Sequence, residues 1–327
     1  MQKILITGAN GFVGSHIAER LVSKNYSVRC LVRKTSDLKW VKNLPLEFCY
    51  GDITEPEALE QAVKDIDIIF HSAGVVRVSK TETYYKVNHI GTKNLIEAVY
   101  KFNPDIKRFV YISTQSVMGP SQADMCKGLN ESCIPVSHYG KSKLLGEAEV
   151  LKYRDKLPVT VLRPAAVYGP RDKDLFPFFK VAAQGFFTIM SGDRNCKIQL
   201  LFIKDLAEIC CLIAEAKETG NDIYFLAENR IYTWEEIGRI LGCVSGRNVK
   251  IITFPLYLVN IFAVISEFFA SFKNMPAKLN RDKVKEFCQK YWTADTSVFE
   301  KDFELKFTQL EIGAKITYNW YKENHWL

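Results

Sequence analysis

The sequence predicts an α/β fold: a doubly wound parallel sheet with a smaller C-terminal α+β lobe. Three observations carry that expectation. Short apolar runs alternate with helix-spaced apolar residues along the first half of the chain, the pattern of strands joined by crossover helices. A glycine cluster stands between the first such run and the first helical pattern. The length, 327 residues, exceeds a minimal domain and suffices for one large α/β unit plus a lobe.

Taken in order, Lys3 to Thr7 reads as a buried strand, followed at once by Gly8-Ala9-Asn10-Gly11-Phe12-Val13-Gly14. A helix then begins, with Val13, Ile17, Leu21 and Val22 on one apolar face. Glycines here let the backbone turn tightly, so that the helix N-terminus faces a pyrophosphate. The spacing is G-x-x-G-x-x-G rather than the G-x-G-x-x-G of the usual dinucleotide fingerprint. The second strand, Ser27 to Val32, runs into Arg33-Lys34. An acid at that strand end binds a ribose 2′-hydroxyl, whereas an Arg accommodates a 2′-phosphate. NADP is therefore the expected cofactor, with NAD as the alternative.

Glu47 to Tyr50 reads as the third strand. Asp52 and Ile53 lie at its exit, where the carboxylate has two compatible roles: accepting from an adenine amine and capping the next turn. A helix is expected from Glu55 to Val63, and a fourth strand from Ile66 to Phe70 ending in His71-Ser72-Ala73-Gly74. Ser72, Ala73 and Gly74 are small enough for a ribose and diphosphate to lie against the backbone, while His71 reads as a packed strand-end residue. Helical periodicity runs from Tyr84 to Phe102, and the strand Arg108 to Ile112 delivers Ser113-Thr114 to the carboxyl edge of the sheet, where ligands bind in open α/β folds. After a loop holding Gly119, Pro120 and Gly128 comes Tyr139-Gly140-Lys141-Ser142-Lys143. Tyr139 and Lys143 are four apart and share a helical face, so phenol and ammonium can address one bound molecule. A cation beside a phenol lowers its pKa toward the range a general acid/base needs. Pro158 to Arg163 is the next strand, leaving through Pro164-Ala165-Ala166-Val167.

In the second half, Phe176 to Gln184, Asp205 to Ala216, Thr233 to Leu241 and Thr308 to Tyr321 read as helices and Asp222 to Leu226 as a strand. Thr233 with Glu236 three residues on is a capping-box signature. The loops Arg171-Asp172-Lys173-Asp174 and Ser191-Gly192-Asp193-Arg194 are candidates for substrate contact. Leu256 to Phe272 is almost wholly apolar, interrupted strongly only by Asn260 and Glu267. It is too short for a membrane span, which takes about 20 apolar residues. A buried lid helix or an apolar substrate wall is the expectation, with peripheral membrane contact the minority reading because Lys273, Lys278, Arg281, Lys283 and Lys285 follow.

Bulk properties bound the function. The formal charge of +7 suits an anionic ligand and comes with no nucleic-acid-binding signature, so no nucleic-acid partner is expected. Nine Cys, odd in number and without a Cys-x-x-Cys pair, fit reduced thiols rather than disulfides or zinc, and no metal site is expected. With Lys3 opening a strand at once, no secretory signal is read, and a cytoplasmic location is expected.

The chain resembles an extended short-chain dehydrogenase/reductase of the NAD-dependent epimerase/dehydratase superfamily, closest to the dihydroflavonol-reductase-like and 3β-hydroxysteroid-dehydrogenase-like branch. The resemblance rests on Thr7 to Gly14, Gly51-Asp52, His71 to Gly74, Asn88 with Gly91-Thr92, Ser113-Thr114, Tyr139 with Lys143 and Leu162-Arg163-Pro164, in the family's order. It implies a Rossmann domain over residues 1–170, with segments at about 195–230 returning to it, and a substrate-binding lobe mainly over 171–327. It further implies that Tyr139 exchanges a proton with the reacting oxygen while a hydride passes to or from a nicotinamide. Lys143 would hold the ribose hydroxyls and depress the phenol pKa, Thr114 would position the substrate oxygen, and Pro164 and Val167 would flank the nicotinamide. Asn88 would support the active-site backbone, and a homodimer would form through the helices of 84–102 and 139–153. Nucleotide-sugar relatives carry R-x-x-N after this strand, and here Arg163 is followed by Pro164, Ala165 and Ala166. That tilts the expected substrate toward an apolar ketone or alcohol. A nucleotide-sugar epimerase or dehydratase is the alternative, and a non-catalytic dinucleotide-binding protein the second.

Overall fold

A computed structural model describes residues 2–122, 125–190, 193–272, 276–277 and 279–327. Ser191, Gly192, Lys273 and Lys278 of the stretches singled out above lie outside the described residues.

The strands β1 (Lys3–Thr7), β2 (Ser27–Val32), β3 (Glu47–Tyr50), β4 (Ile68–His71), β5 (Arg108–Ile112), β6 (Val159–Pro164) and β7 (Ile223–Leu226) form one sheet. Their order is β7-β6-β5-β4-β1-β2-β3, and every neighbouring pair is parallel. The chain winds outward from β1 to β3 and then crosses back to β4 on the other side of β1. The point where the order reverses is thus beside β1, the place where open α/β sheets bind ligands.

Alternation along the strands fills a core on each face. Ile4, Ile6, Val110 and Leu162 pack on one side with Ile17 and Leu21 of α1 (Phe12–Ser23), while Leu5, Ile69, Phe109 and Val161 pack on the other. There they meet α2 (Leu59–Val63) and α3 (Thr92–Phe102). α4 (His138–Leu151) carries the Tyr/Lys pair. α5 (Phe176–Ala183) belongs to the second half, and α6 (Ile203–Glu215) packs against α1 and ties to it through Arg20–Glu208, 2.5 Å apart. α7 (Trp234–Val244) opens with the full Thr233/Glu236 capping box that the sequence signals. α8 (Leu256–Phe272), α9 (Arg281–Phe287) and α10 (Leu310–Glu323) complete the lobe.

Three expectations change. The periodic stretch from Tyr84 is not one regular helix, because Tyr85–Gly91 takes the wider π-helical turn before α3 begins. Such bulges are frequent at functional sites. The last helix is shifted two residues toward the C-terminus, running from Leu310 rather than Thr308, because Thr308 is engaged by Asp205 through both its amide and its hydroxyl. The apolar α8 is not buried: only Val259 and Ala263 join a core, and most of its large side chains face water.

Candidate active site

The site grows from the carboxyl end of β1. Gly8 adopts φ +73°, a conformation that L side chains rarely hold. Its carbonyl accepts from the Gly11 amide at 2.9 Å. A Cβ on Gly14 would lie 2.3 Å from that same carbonyl oxygen, so α1 approaches the loop as closely as only glycine permits. Gly11, the N-cap of α1, offers no side-chain acceptor, and the first turn holds no acid. The leading amides beside Phe12 and Val13 are therefore available to an anion, with the helix dipole behind them. Asn10 is half-buried at the turn.

Neighbouring strand ends converge on this loop. β2 pairs with β1 up to Thr7–Leu31, which brings Arg33 and Lys34 to the adjacent edge, exposed and outside any ion pair among the described residues. Asp52 caps its own turn, accepting from the amide and hydroxyl of Thr54 at 2.9 Å each. Ile53 is buried, its side chain against the Cα of Gly91. Thr7 accepts the Ala73 amide, placing Ser72, Ala73 and Gly74 directly over Gly8. His71 is sealed between the hydroxyls of Thr7 and Thr92, and burial lowers its pKa to about 3. It is a neutral packed residue.

Beyond β4 lies the cluster around Tyr139 and Lys143. Tyr139 and Lys143 both come from α4, whose N-cap Ser137 accepts from the Gly140 amide at 2.9 Å. Burial pushes the Tyr139 phenol pKa up to about 12, with Lys283 and the nearby Thr114 opposing the rise. Lys143 is buried; its Nζ donates to the Ile112 carbonyl at 2.8 Å and sits 4.0 Å from the Tyr111 ring centroid. Desolvation drops its pKa to about 7, with Glu147 opposing the fall. Gly74 is alongside, the place of an added Cβ being 3.9 Å from Nζ. Asn88, in the π-helical turn, binds both backbone groups of Val75 and the Ser142 hydroxyl, locking the loop after β4 to α4. Ser113 is committed elsewhere: it donates to Glu147, which also grips the buried Arg163 through several short contacts. Pro164 is buried at the end of β6, and Val167 and Ala166 are half-buried just after it.

Sequence reasoning missed α9. The cation nearest the Tyr139 ring is Lys283, its Nζ 5.6 Å from the centroid, and it is the first influence opposing the rise of the phenol pKa. Asp282 accepts from the amides of His138 and Tyr139 at 2.8 and 3.2 Å, and Glu286 accepts from Ser137 at 2.7 Å. These partners are more than 140 residues away in sequence, and the basic run in which they stand reads only as a ground for peripheral membrane contact. Nor does Arg171 join the substrate lobe. It reaches Ser15 and Glu19 of α1, while Asp172 accepts from the amides of Asp174 and Leu175 in the loop ahead of α5. Among the described residues no group of His, Cys, Asp and Glu is arranged to hold a metal.

Residues 4–227 match the NAD dependent epimerase/dehydratase family. The chain belongs to that family. Within it, the chain is an extended short-chain dehydrogenase/reductase, an enzyme built on a Rossmann sheet. A ceramide reductase of Caulobacter vibrioides is 26% identical over 327 residues, covering 99% of this chain and 96% of its own. The decarboxylating sterol-4-alpha-carboxylate 3-dehydrogenase of Bos taurus is 27% identical over 253 residues, 73% of this chain and 69% of its own. Among solved structures, UDP-glucose 4-epimerase of Thermotoga maritima superposes with a TM-score of 0.80 at 22% identity, covering 99% of this chain and 100% of its own. At that identity the likeness speaks for the fold alone. The glycine loop and the Tyr/Lys helix of this epimerase/dehydratase member lie within the matched span.

Proposed function

We propose that the chain is an NADP-preferring oxidoreductase, able to accept NAD, that interconverts a ketone and a secondary alcohol on an apolar substrate. The observation that carries this reading is the gathering of Thr114, Tyr139 and Lys143 at the carboxyl edge of the sheet, beside a glycine loop whose helix amides are uncapped. The residues present fit a dinucleotide. Gly8, Asn10, Gly11, Phe12, Val13 and Gly14 would hold its diphosphate, Asp52 and Ile53 its adenine side, and Ser72 to Gly74 its backbone-facing ribose. Arg33 and Lys34 would meet a 2′-phosphate, and Pro164 and Val167 would border the nicotinamide. The cofactor supplies or accepts the hydride when bound.

The side chains do the rest. The Thr114 hydroxyl orients the substrate oxygen and the Tyr139 phenol gives that oxygen a proton or takes one from it. The Lys143 ammonium has hydrogens left after its bond to Ile112, and they hold the nicotinamide ribose. Lys283 biases the phenol toward its anion. The names of the relatives, a ceramide reductase and a sterol dehydrogenase, support an apolar substrate, as does Ala166 in the place where a diphosphate-binding Asn would stand. The reading includes the dihydroflavonol-reductase-like branch, a nucleotide-binding unit over 1–170 with 195–230 returning to it, a substrate lobe mainly over 171–327, and a cytoplasmic homodimer. The exposed Ile90, Tyr100 and Leu145 on the π turn, α3 and α4 support the dimer face.

The test is a panel of apolar ketones and secondary alcohols with both nicotinamide cofactors, read by absorbance of the reduced form. Turnover of apolar carbonyls with NADPH is expected. With NADP saturating, UDP, GDP and dTDP sugars are expected to leave the melting temperature unchanged. A clear rise with any of them, or their turnover, overturns the apolar assignment.

A further inference from the structure

α8 holds large apolar side chains in water. Tyr257, Ile261, Phe262, Val264, Phe269 and Phe272 are each 50–71% exposed. Scattered exposed apolar residues are normal, but a contiguous patch marks an interaction surface. At 3.6 residues per turn these six side chains sweep an arc of about 160° around the helix. Val259 and Ala263 hold the opposite side against Val284 of α9, so the protein body takes the place of the polar face of an interfacial helix.

We propose that α8 docks on the surface of a lipid bilayer with anionic headgroups. The width of the apolar arc favours this occupant. A second helix would cover a narrow ridge-and-groove stripe and leave the rest wet, whereas a lipid surface covers half a helix circumference at once. Charge favours it too. From Leu256 to Lys290 the chain carries six Lys or Arg against three Asp or Glu, and the side chains of Arg281, Lys285 and Lys290 are 69%, 52% and 63% exposed while pairing with Glu267, Asp282 and Asp193, which leaves a net positive face. Cations flanking an apolar helix add attraction to anionic headgroups. Among the described residues no helix is long and apolar enough to cross a membrane, so α8 lies on the surface rather than through it.

The docking does not depend on the oxidoreductase reading, but it gives that reading a geometry. α8 packs on α9, and α9 holds the backbone of Tyr139 through Asp282. A bilayer touching α8 is one helix away from the phenol, so an apolar substrate has a short path from lipid to site.

Flotation of the full-length chain with vesicles tests this. The chain is expected to rise with phosphatidylcholine vesicles containing phosphatidylglycerol and to rise less with phosphatidylcholine alone. Phe262→Glu/Phe269→Glu should cut the bound fraction about tenfold, as burying a charge in the interface does. NADPH binding and melting temperature verify that this variant is folded. Phe272→Glu, a single change at the most exposed of the six positions, serves if it is not, and is expected to lower the bound fraction in the same direction. Arg281→Glu/Lys285→Glu should weaken binding to the anionic vesicles only. A parent chain that stays with neither vesicle, or variants that float as it does, overturns the proposal. So does a parent dimer that Phe262→Glu/Phe269→Glu splits into monomers on size exclusion without any vesicle binding, which would make a second copy the occupant.

Discussion

Replacing Lys143 with Met is expected to disarm the enzyme and stabilise the protein, and the pH dependence of that gain is the sharpest check on the site. In the free protein Lys143 is buried, and desolvation lowers its pKa from 10.5 to about 7. At 1.36 kcal/mol per pH unit, keeping the ammonium buried costs about 5 kcal/mol once the group is fully charged. The sign follows from proton counting. Between about pH 7 and 10.5 the unfolded chain binds the proton and the folded one does not, so stability rises with pH across that window. The penalty is absent above the unfolded pKa and complete below the folded one. Met fills the same slot without charge. It leaves the Ile112 carbonyl without its 2.8 Å donor, an unsatisfied group worth about 1–3 kcal/mol. The net gain below pH 7 is therefore about 2–4 kcal/mol. At roughly 2 °C per kcal/mol for a chain of this size, the melting temperature should rise by about 4–8 °C at pH 6. Toward pH 10.5 the gain should vanish and then reverse, because only the lost hydrogen bond remains. Thermal unfolding at pH 6, 8 and 10, with NADPH binding in parallel, reads all of this. A variant no more stable than its parent at pH 6, or equally stabilised at every pH, refutes the picture of Lys143 as a charge held in an apolar slot for a ligand.

Three further changes probe other parts of the site. Tyr139→Phe removes only the hydroxyl, so fold and cofactor affinity should survive while turnover drops by roughly 10²–10⁴, and near-normal turnover on a true substrate would move the proton donor elsewhere. Arg33→Ala should weaken NADPH but not NADH, by the ~1.5–3 kcal/mol of a charge-assisted hydrogen bond; equal losses for both cofactors on titration would remove Arg33 from the 2′-phosphate. Glu147→Gln leaves Arg163 charged and buried with Ser113 and no counter-ion, a loss of about 3–5 kcal/mol on urea unfolding, and a shift under 1 kcal/mol would mean the pair is dispensable.

What was legible in the sequence is what neighbouring residues settle among themselves. Gly8 and Gly14 are close in the chain: Gly8 takes a positive φ under the Ala73 backbone, and Gly14 leaves room for the Gly8 carbonyl. Tyr139 and Lys143 share a helix face by spacing alone, and Thr233 with Glu236 forms its cap from four consecutive residues. Asn88 and His71 were readable as structural because each sits inside a compact motif. The errors arose where an outcome depends on distant packing. A run such as Leu256–Phe272 has the composition of a buried helix, and its composition does not reveal that the lobe supplies too little partner surface to cover it. The π turn at Tyr85–Gly91 leaves the apolar periodicity nearly intact, so only the hydrogen bonds disclose it.

The largest omission bears on the chemistry itself. A phenol four residues from an ammonium invites the conclusion that this ammonium sets its pKa. In the folded chain Lys143 turns to the Ile112 carbonyl and the Tyr111 ring, while Lys283 faces the Tyr139 ring from the lobe. Two separate cations stand at the pair, with Lys143 buried at the Ile112 carbonyl and Lys283 over the Tyr139 ring, anchored by Glu286 at 3.1 Å. The C-terminal half thereby opposes, through Lys283, the rise that burial imposes on the Tyr139 pKa. α9 thus holds Tyr139 in two ways, the amides of His138 and Tyr139 through Asp282 and the phenol ring through the Lys283 charge over it.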